Sequence, residues 1–369
     1  MRKILAAVSL GVLCGCMDIA DIRSAINDAR AVAKIGVVAH PEISWPDSTS
    51  KFQKALAFFK SCNVDAIVVI GELTKDGYMN QYRVLSRAWD AEFNNPVKGT
   101  VQNPPRRIFV LGEREKATYK EEFGAEFGGD ISVGGGIFDV NGFAFRAVSQ
   151  KPAGYDTVPT FHAGEKMALT DELCWYPRTR PCINAGSLSG IDLNPGFEKV
   201  PNAAKSAQGL LVTVYTSEIS VARLDFIDNE PVAADWRISR TGAALSAAEK
   251  RAPGFWDDTE LRVFRVNEPG KPPAFKVVWP PVLAKYTGVR AYFYEVAVLM
   301  EVADGSREAV VKRRHVLAPN FHRAESHDVE PVSCRFDKAE LPDHSRIRFA
   351  VTPVSCFGER GRRLESGWM

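Results

Sequence analysis

Three short apolar runs in the first third of the chain each stop at a residue able to bind a cation or carry a proton. Val37-Val38-Ala39 stops at His40, Val69-Ile70-Gly71 at Glu72, and Val110-Leu111-Gly112 at Glu113, followed by Arg114 and Glu115. Imidazole nitrogen and carboxylate oxygen are ligands for manganese, iron or zinc, so His40, Glu72 and Glu113 could hold a single divalent metal. Arg114 opposes that chemistry. A guanidinium among carboxylates supplies the positive charge a metal would bring, and leaves either an anion pocket or an internal salt-bridge cluster of Glu72, Glu113 and Arg114.

The elements that must position these residues alternate strand and helix. A short polar helix is expected around 18–30. Strands are expected at 35–39, 66–70 and 107–111, with the second and third stopped by Gly71 and Gly112. Residues 50–62 place Phe52, Ala55, Leu56 and Phe59 on one helical face, and 81–93 do the same with Tyr82, Leu85, Trp89 and Phe93. Apolar strands alternating with helices indicate a layered α/β unit. From about residue 131 strands take over, at 138–148, 209–215, 219–226 and 234–239. Beyond a linker-like stretch at 240–258 and a run holding five prolines at 269–281, further strands are expected at 275–279, 292–301, 313–316, 331–336 and 347–353.

Across residues 33 to 240, these blocks resemble the calcineurin-like metallophosphoesterases. That family carries D-x-H after its first strand, GD after the next, GNH[DE] after a third and a later GH-x-H, and clamps two divalent metals that activate water against a phosphate ester. Gly36-Val37-Val38-Ala39-His40, Gly71-Glu72 and Gly112-Glu113-Arg114 stand at the first three motifs, and Pro181-Cys182-Ile183-Asn184-Ala185-Gly186-Ser187-Leu188-Ser189-Gly190 is the clearest late element. The resemblance implies a four-layer α/β/β/α sandwich. It also implies lost ligands. Val38 stands at the first aspartate, Glu72 at the bridging aspartate, Glu113 at the asparagine and Arg114 at its histidine. Aligning Leu169-Thr170-Asp171 just after the last motif puts Gly164 and Lys166 at the late histidines, with His162 as a displaced candidate. Two metals a few ångströms apart repel strongly and need several anionic or imidazole ligands. The expected product is a protein with no catalytic residues and no cofactor, acting in binding or scaffolding. An active phosphoesterase with a reduced metal site and a carbohydrate-binding surface protein stay open as alternatives.

Residues 261–369 resemble a fibronectin type III module. Tyr292-Phe293-Tyr294-Glu295-Val296-Ala297-Val298 stands as its central strand, and Leu341-Pro342, then 347–354, then Phe357-Gly358 as its late pattern, with Phe349 in the aromatic place. Such a module implies protein or glycan contact rather than catalysis.

The first residues read as an export signal. Arg2 and Lys3 precede an uncharged apolar run, 4–13, too short to span a bilayer permanently. Leu13-Cys14-Gly15-Cys16 resembles the lipobox of bacterial lipoproteins, which implies cleavage after residue 15, acylation of Cys16, and a lipid anchor in the cell envelope facing the periplasm or the cell surface. An ordinary signal peptide is the alternative. The expected organisation is thus 1–15 signal, 16–260 phosphoesterase-like, and 261–369 β-sandwich, in keeping with 369 residues being too many for one core. Export permits disulfides, and Cys174–Cys182 or Cys334–Cys356 could each close a short loop. No Cys/His spacing suggests structural zinc.

A net charge of +2 supplies no electrostatic reason for a nucleic-acid partner. Gly134-Gly135-Gly136 lacks the residues of a phosphate loop and reads as a turn. Ser187 lacks the spacing of a nucleophile elbow. His315, His322, His327 and His344 share no face, and Trp175, Trp236, Trp256 and Trp279 read as core or seam residues rather than a sugar platform.

Overall fold

The computed structural model describes residues 31–94, 103–115, 120–149, 160–162, 173–174, 182–190, 206–232, 235–240, 252–283, 289–301, 308–318, 330–343, 346–355 and 358–369. The signal segment with Cys16, the 18–30 helix and most of the 240–258 linker lie outside them. No described helix is long and apolar enough to cross a membrane.

Four parallel strands form the centre of the first unit: β1 (Ala33–Ala39), β2 (Ala66–Gly71), β3 (Arg106–Leu111) and β4 (Asp130–Val133). Their crossovers carry helices α1 (Ser50–Ser61), α2 (Met79–Phe93) and α3 (Lys120–Phe127). β2, most of β1 and the second half of β3 are buried apolar runs because both sheet faces are covered there. Val38, Ile67, Val69, Phe109 and Leu111 pack against the helices, through Phe52, Leu56, Phe59, Tyr82 and Trp89. Val37, Val68, Ile70 and Val110 face the other way.

That second face meets another sheet, made of β5 (Gly135–Val140), β6 (Phe143–Val148), β7 (Thr160–His162), β8 (Leu173–Cys174) and β9 (Cys182–Asn184), in the order β5-β6-β7-β9-β8. Phe138, Phe143, Phe145, Phe161 and Ile183 fill the space between the sheets. The first sheet extends beyond β1 through antiparallel β10 (Gln208–Val214) and β11 (Glu218–Asp225), with β12 (Glu230–Pro231) and β13 (Trp236–Ser239) both pairing β11. The described residues therefore form three layers, helix on sheet on sheet. The outer helical layer of the expected four-layer sandwich has no counterpart among them.

One sequence expectation needs correction. Residues 138–148 do not form one strand: Asn141 (φ 53°) and Gly142 (φ 80°) turn the chain between β5 and β6. Asn-Gly is the dipeptide whose left-handed conformers suit a two-residue hairpin. The sequence reading did not include α3, which is short and carries Gly124 in its interior, so its periodicity is weak; tertiary packing of Phe123 and Phe127 on Phe109 holds it.

The second unit is a pair of antiparallel sheets. One contains β14 (Arg262–Val266), β15 (Ala274–Trp279) and β18 (Val332–Asp337), and the other runs β17 (Glu308–Leu317), β16 (Phe293–Glu301), β19 (Ile347–Val354) and β20 (Leu364–Glu365). Inward residues of both sheets share one core around Trp279, Tyr294, Phe336 and Phe349. The buried Tyr294 hydroxyl is satisfied by the backbone N–H of Val282 at 2.8 Å.

Candidate functional site

In an open parallel sheet the loops at the carboxyl ends of the strands gather on one rim, which is where ligands bind in such folds. Here the loops after β1, β2 and β3 are tied together by their backbones. The chain after β1 bends through two left-handed non-glycine residues, His40 (φ 47°) and Glu42 (φ 46°). Such conformers are costly and persist only where neighbours hold them. Ile70 O accepts from His40 N (3.0 Å), Glu72 O from Glu42 N (3.1 Å), and Leu73 O from Ile43 N (3.0 Å). The loop after β9 closes the other side, where Ala39 O accepts from Leu188 N and His40 O from Ser189 N. Lys51, on the first turn of α1, fastens that loop by donating to Ser189 O (2.7 Å) and Ser206 O (2.9 Å). Burial lowers its pKa, and the charge of Asp225 partly offsets this.

The polar centre of the rim is an arginine between two carboxylates. Arg114 Nη1 lies 3.5 Å from Glu42 Oε1, and Nε lies 3.4 Å from Glu72 Oε2. Arg114 Nη1 also donates to Lys75 O at 3.4 Å. The arginine is half exposed, so these pairs stabilise the fold by roughly 0–1 kcal/mol each at most. Their effect is on charge. Burial raises the Glu72 pKa, the Arg114 guanidinium and backbone N–H pull it back, and Glu42 and Glu113 push it up again. The amide of Glu72 points at His40 Nδ1 across 3.4 Å, so that nitrogen faces a donor.

Beneath this cluster lies Glu115, 2% exposed. Its Oε1 accepts from Thr74 N (3.0 Å) and Thr74 Oγ1 (3.4 Å), and its Oε2 from Gly112 N (2.8 Å). Burial raises its pKa to about 7 despite the Thr74, Gly112 and Leu73 amides that favour the ionised form, and the charge of Glu72 adds to the rise. Glycine is required beside it. A Cβ on Gly112 would lie 2.8 Å from Gly71 C and 3.1 Å from Glu115 Oε2, against backbone that cannot swing away. Gly112→Ala is expected to lower stability by about 1–3 kcal/mol, read as a shifted urea midpoint with unchanged slope; an unchanged midpoint would show the loop to be slack.

No family model matches the sequence, and no curated protein matches it. Solved structures do align with part of it. A conserved uncharacterised protein and predicted phosphoesterase from Streptococcus pneumoniae TIGR4 aligns at 12% identity and a TM-score of 0.34, covering 56% of this chain and 98% of its own. A novel archaeal phosphodiesterase aligns at 12% identity and 0.30, covering 56% and 99%. Vacuolar protein sorting 29 from Cryptosporidium parvum aligns at 13% identity and 0.35, covering 56% and 98%. These neighbours are of the phosphoesterase fold type, but at such scores the likeness carries no argument about chemistry. The rim itself has to.

The residues described at the ends of β1, β2 and β3 do not match the metal pair implied by the resemblance. Val38 is fully buried in the helix-side core. Glu113 is exposed, and the carboxylate that joins Glu72 at Arg114 belongs to Glu42 instead. Among the described residues no three or more His, Cys, Asp or Glu side chains form a group able to hold a metal ion, so the set His40, Glu72 and Glu113 does not form one. To the expected salt-bridge cluster of Glu72, Glu113 and Arg114 the structure adds Glu42, which lies against Arg114, while the charge of Glu113 acts on Glu72. Gly164 and Lys166 lie outside the described residues, and of His162 only the backbone, in β7, is described.

Sequence reasoning missed Glu42 and Glu115. Glu42 follows His40 by two positions, as expected of a rim loop, but its approach to Glu72 depends on two left-handed turns. Exposed aromatics were also missed: Trp45 and Tyr78 stand in the loops after β1 and β2, 67% and 62% exposed. Trp236 and Trp279 are buried as expected, Trp256 is exposed, and Trp175 lies outside the described residues. Ser187 is buried with its Oγ 3.1 Å from Ser189 Oγ. Gly134 (φ 73°) makes the turn that carries the chain from β4 to β5. At the opposite end of the sheet a cavity of about 570 Å³ opens among Phe59, Lys60, Asp65, Phe93 and Pro105.

Proposed function

We propose that this chain is an exported lipoprotein, anchored through Cys16, in which a calcineurin-like phosphoesterase fold has become a non-catalytic binding or scaffolding unit at the cell envelope. Residues 261–369 serve as a fibronectin type III-like module for protein or glycan contact. The observation that supports this most directly is the guanidinium of Arg114 held between Glu42 and Glu72 at 3.5 and 3.4 Å. A cation fixed to the protein neutralises these carboxylates and repels a divalent ion approaching the same oxygens. It supplies neither a Lewis acid nor an acidified water, the two services on which phosphoester hydrolysis of this kind depends.

The test uses the mature full chain. Metal content by mass spectrometry and turnover of p-nitrophenyl phosphate and bis-p-nitrophenyl phosphate are measured with and without added manganese. The expected result is substoichiometric metal and no turnover above buffer. Stoichiometric manganese, iron or zinc, with turnover abolished by Glu72→Ala, would replace this reading with an active phosphoesterase that uses a reduced site.

A further inference from the structure

Two large aromatic side chains, Trp45 and Tyr78, stand in water at the rim, and the backbone that carries each is locked. Ser48 Oγ accepts from Ser44 N (2.9 Å) and Trp45 N (3.2 Å) and donates to Trp45 O (2.6 Å). The buried Gln81 holds the other loop. Its Oε1 accepts from Asp76 N (3.1 Å) and Tyr78 N (3.4 Å), and its Nε2 donates to Asp76 Oδ2 (2.8 Å). Neither ring stacks on another aromatic ring among the described residues. A tryptophan and a tyrosine presented this way offer broad apolar faces at little further cost in conformational freedom.

Backbone contacts bring both loops to Arg114. Lys75 N donates to Ile43 O (3.1 Å), just before Trp45, and Arg114 Nη1 donates to Lys75 O, just before Tyr78. A Cβ on Gly77 would meet Arg114 O at 2.6 Å, so the residue preceding Tyr78 lies directly on the arginine's backbone. The polar groups here are of both kinds. Glu42 and Glu72 offer acceptors, and the half-exposed Arg114 offers an Nη2 with no partner among the described residues. Lys75 and Asp76 are exposed beside them and offset each other, while the carboxylates of Glu42, Glu72 and Glu113 outnumber the Arg114 guanidinium; that excess disfavours an anionic ligand. A cationic ligand would have to displace Arg114 from the two carboxylates it already neutralises. An uncharged molecule with apolar faces and many hydroxyls suits the rim better, since each hydroxyl both donates and accepts.

The geometry points to a neutral glycan lying across this rim, its sugar rings against Trp45 and Tyr78 and its hydroxyls on Arg114 and Glu42. The assignment rests on the non-catalytic binding role proposed above and supplies the chemical class of the ligand. Pyranose rings with equatorial hydroxyls have the flattest apolar faces, so β-linked glucose and N-acetylglucosamine chains are the expected best ligands.

The mature full chain, kept in EDTA, is titrated calorimetrically with cellohexaose, chitohexaose and mannohexaose, and separately with nona-arginine and polygalacturonate. The expected result is saturable binding of at least one neutral oligosaccharide and tighter binding of it than of either charged polymer. Trp45→Ala and Tyr78→Ala should each weaken that binding about tenfold or more. Their urea midpoints should match the parent's, because both side chains are exposed. No saturation by any of the neutral oligosaccharides, full affinity in both variants, or preference for nona-arginine or polygalacturonate overturns the inference. Absence of binding in a chain that also shows no phosphoesterase turnover leaves the non-catalytic reading standing and removes only the glycan. Binding that appears only when manganese replaces EDTA overturns both together.

Discussion

Val38→Asp, which puts back the acid that the resemblance implies at the end of β1, is expected to destabilise the protein by roughly 3–5 kcal/mol without creating a metal site. Val38 is fully buried among α1 and α2 side chains, and a Cβ placed on Gly209 would come within 3.0 Å of Val38 Cγ1. Losing the apolar side chain costs about 1.5–3 kcal/mol. An unsatisfied carboxyl in its place costs about 1–3 kcal/mol more, since a group so buried stays protonated rather than ionise unpaired. Urea denaturation measures the loss, and calorimetric titration with manganese measures binding. A variant as stable as the parent that also takes up manganese would show that Val38 is a replaceable ligand position, and the account of the rim given above would fail.

Stability is expected to fall as pH rises from about 4.5 towards neutrality, with Glu115 responsible. Its folded pKa is about 7 against an ordinary 4.5. The native state therefore holds a proton that the unfolded chain has released between those values. The contribution is fully present below pH 4.5 and is lost as pH rises through 7. A displacement of this size corresponds to at most about 3 kcal/mol. Glu72 is raised as well and acts in the same direction, whereas Glu295 and Glu340, held low chiefly by their arginine partners against the opposing effect of burial, act in the opposite one. Comparison with Glu115→Gln isolates the single group. The variant should lose some stability at every pH, because its amide nitrogen faces the Gly112 N–H, but should show a flatter profile between pH 4.5 and 7.5. Parallel profiles for parent and variant would mean that Glu115 ionises normally.

The legibility of the chain followed the range of the forces involved. Strands β1, β2 and β3 and helices α1 and α2 could be read almost to the residue, because burial on both sheet faces, or on one helical stripe, writes itself into local periodicity. The hairpin at Asn141-Gly142 was equally local, yet the apolar run 138–148 masked it. α3 was not local at all: its place comes from Phe123 and Phe127 packing on Phe109, more than ten residues away.

The same division holds at the rim. That His40, Glu72 and Arg114 belong to the ends of adjacent parallel strands was settled by residue order and by the apolar runs before them. So was the absence of an acid at position 38. Which carboxylate meets Arg114 could not be known that way. Glu113 is its chain neighbour, yet the backbone turns at His40 and Glu42 bring a glutamate 72 residues distant against Arg114. Burial of Glu115 beneath Thr74 and Gly112 is likewise a product of packing between loops. Local sequence determines which residues reach a strand end, since sterics and burial act over a few positions; only the assembled sheet decides which of them face one another, since charge and hydrogen bonding act through space.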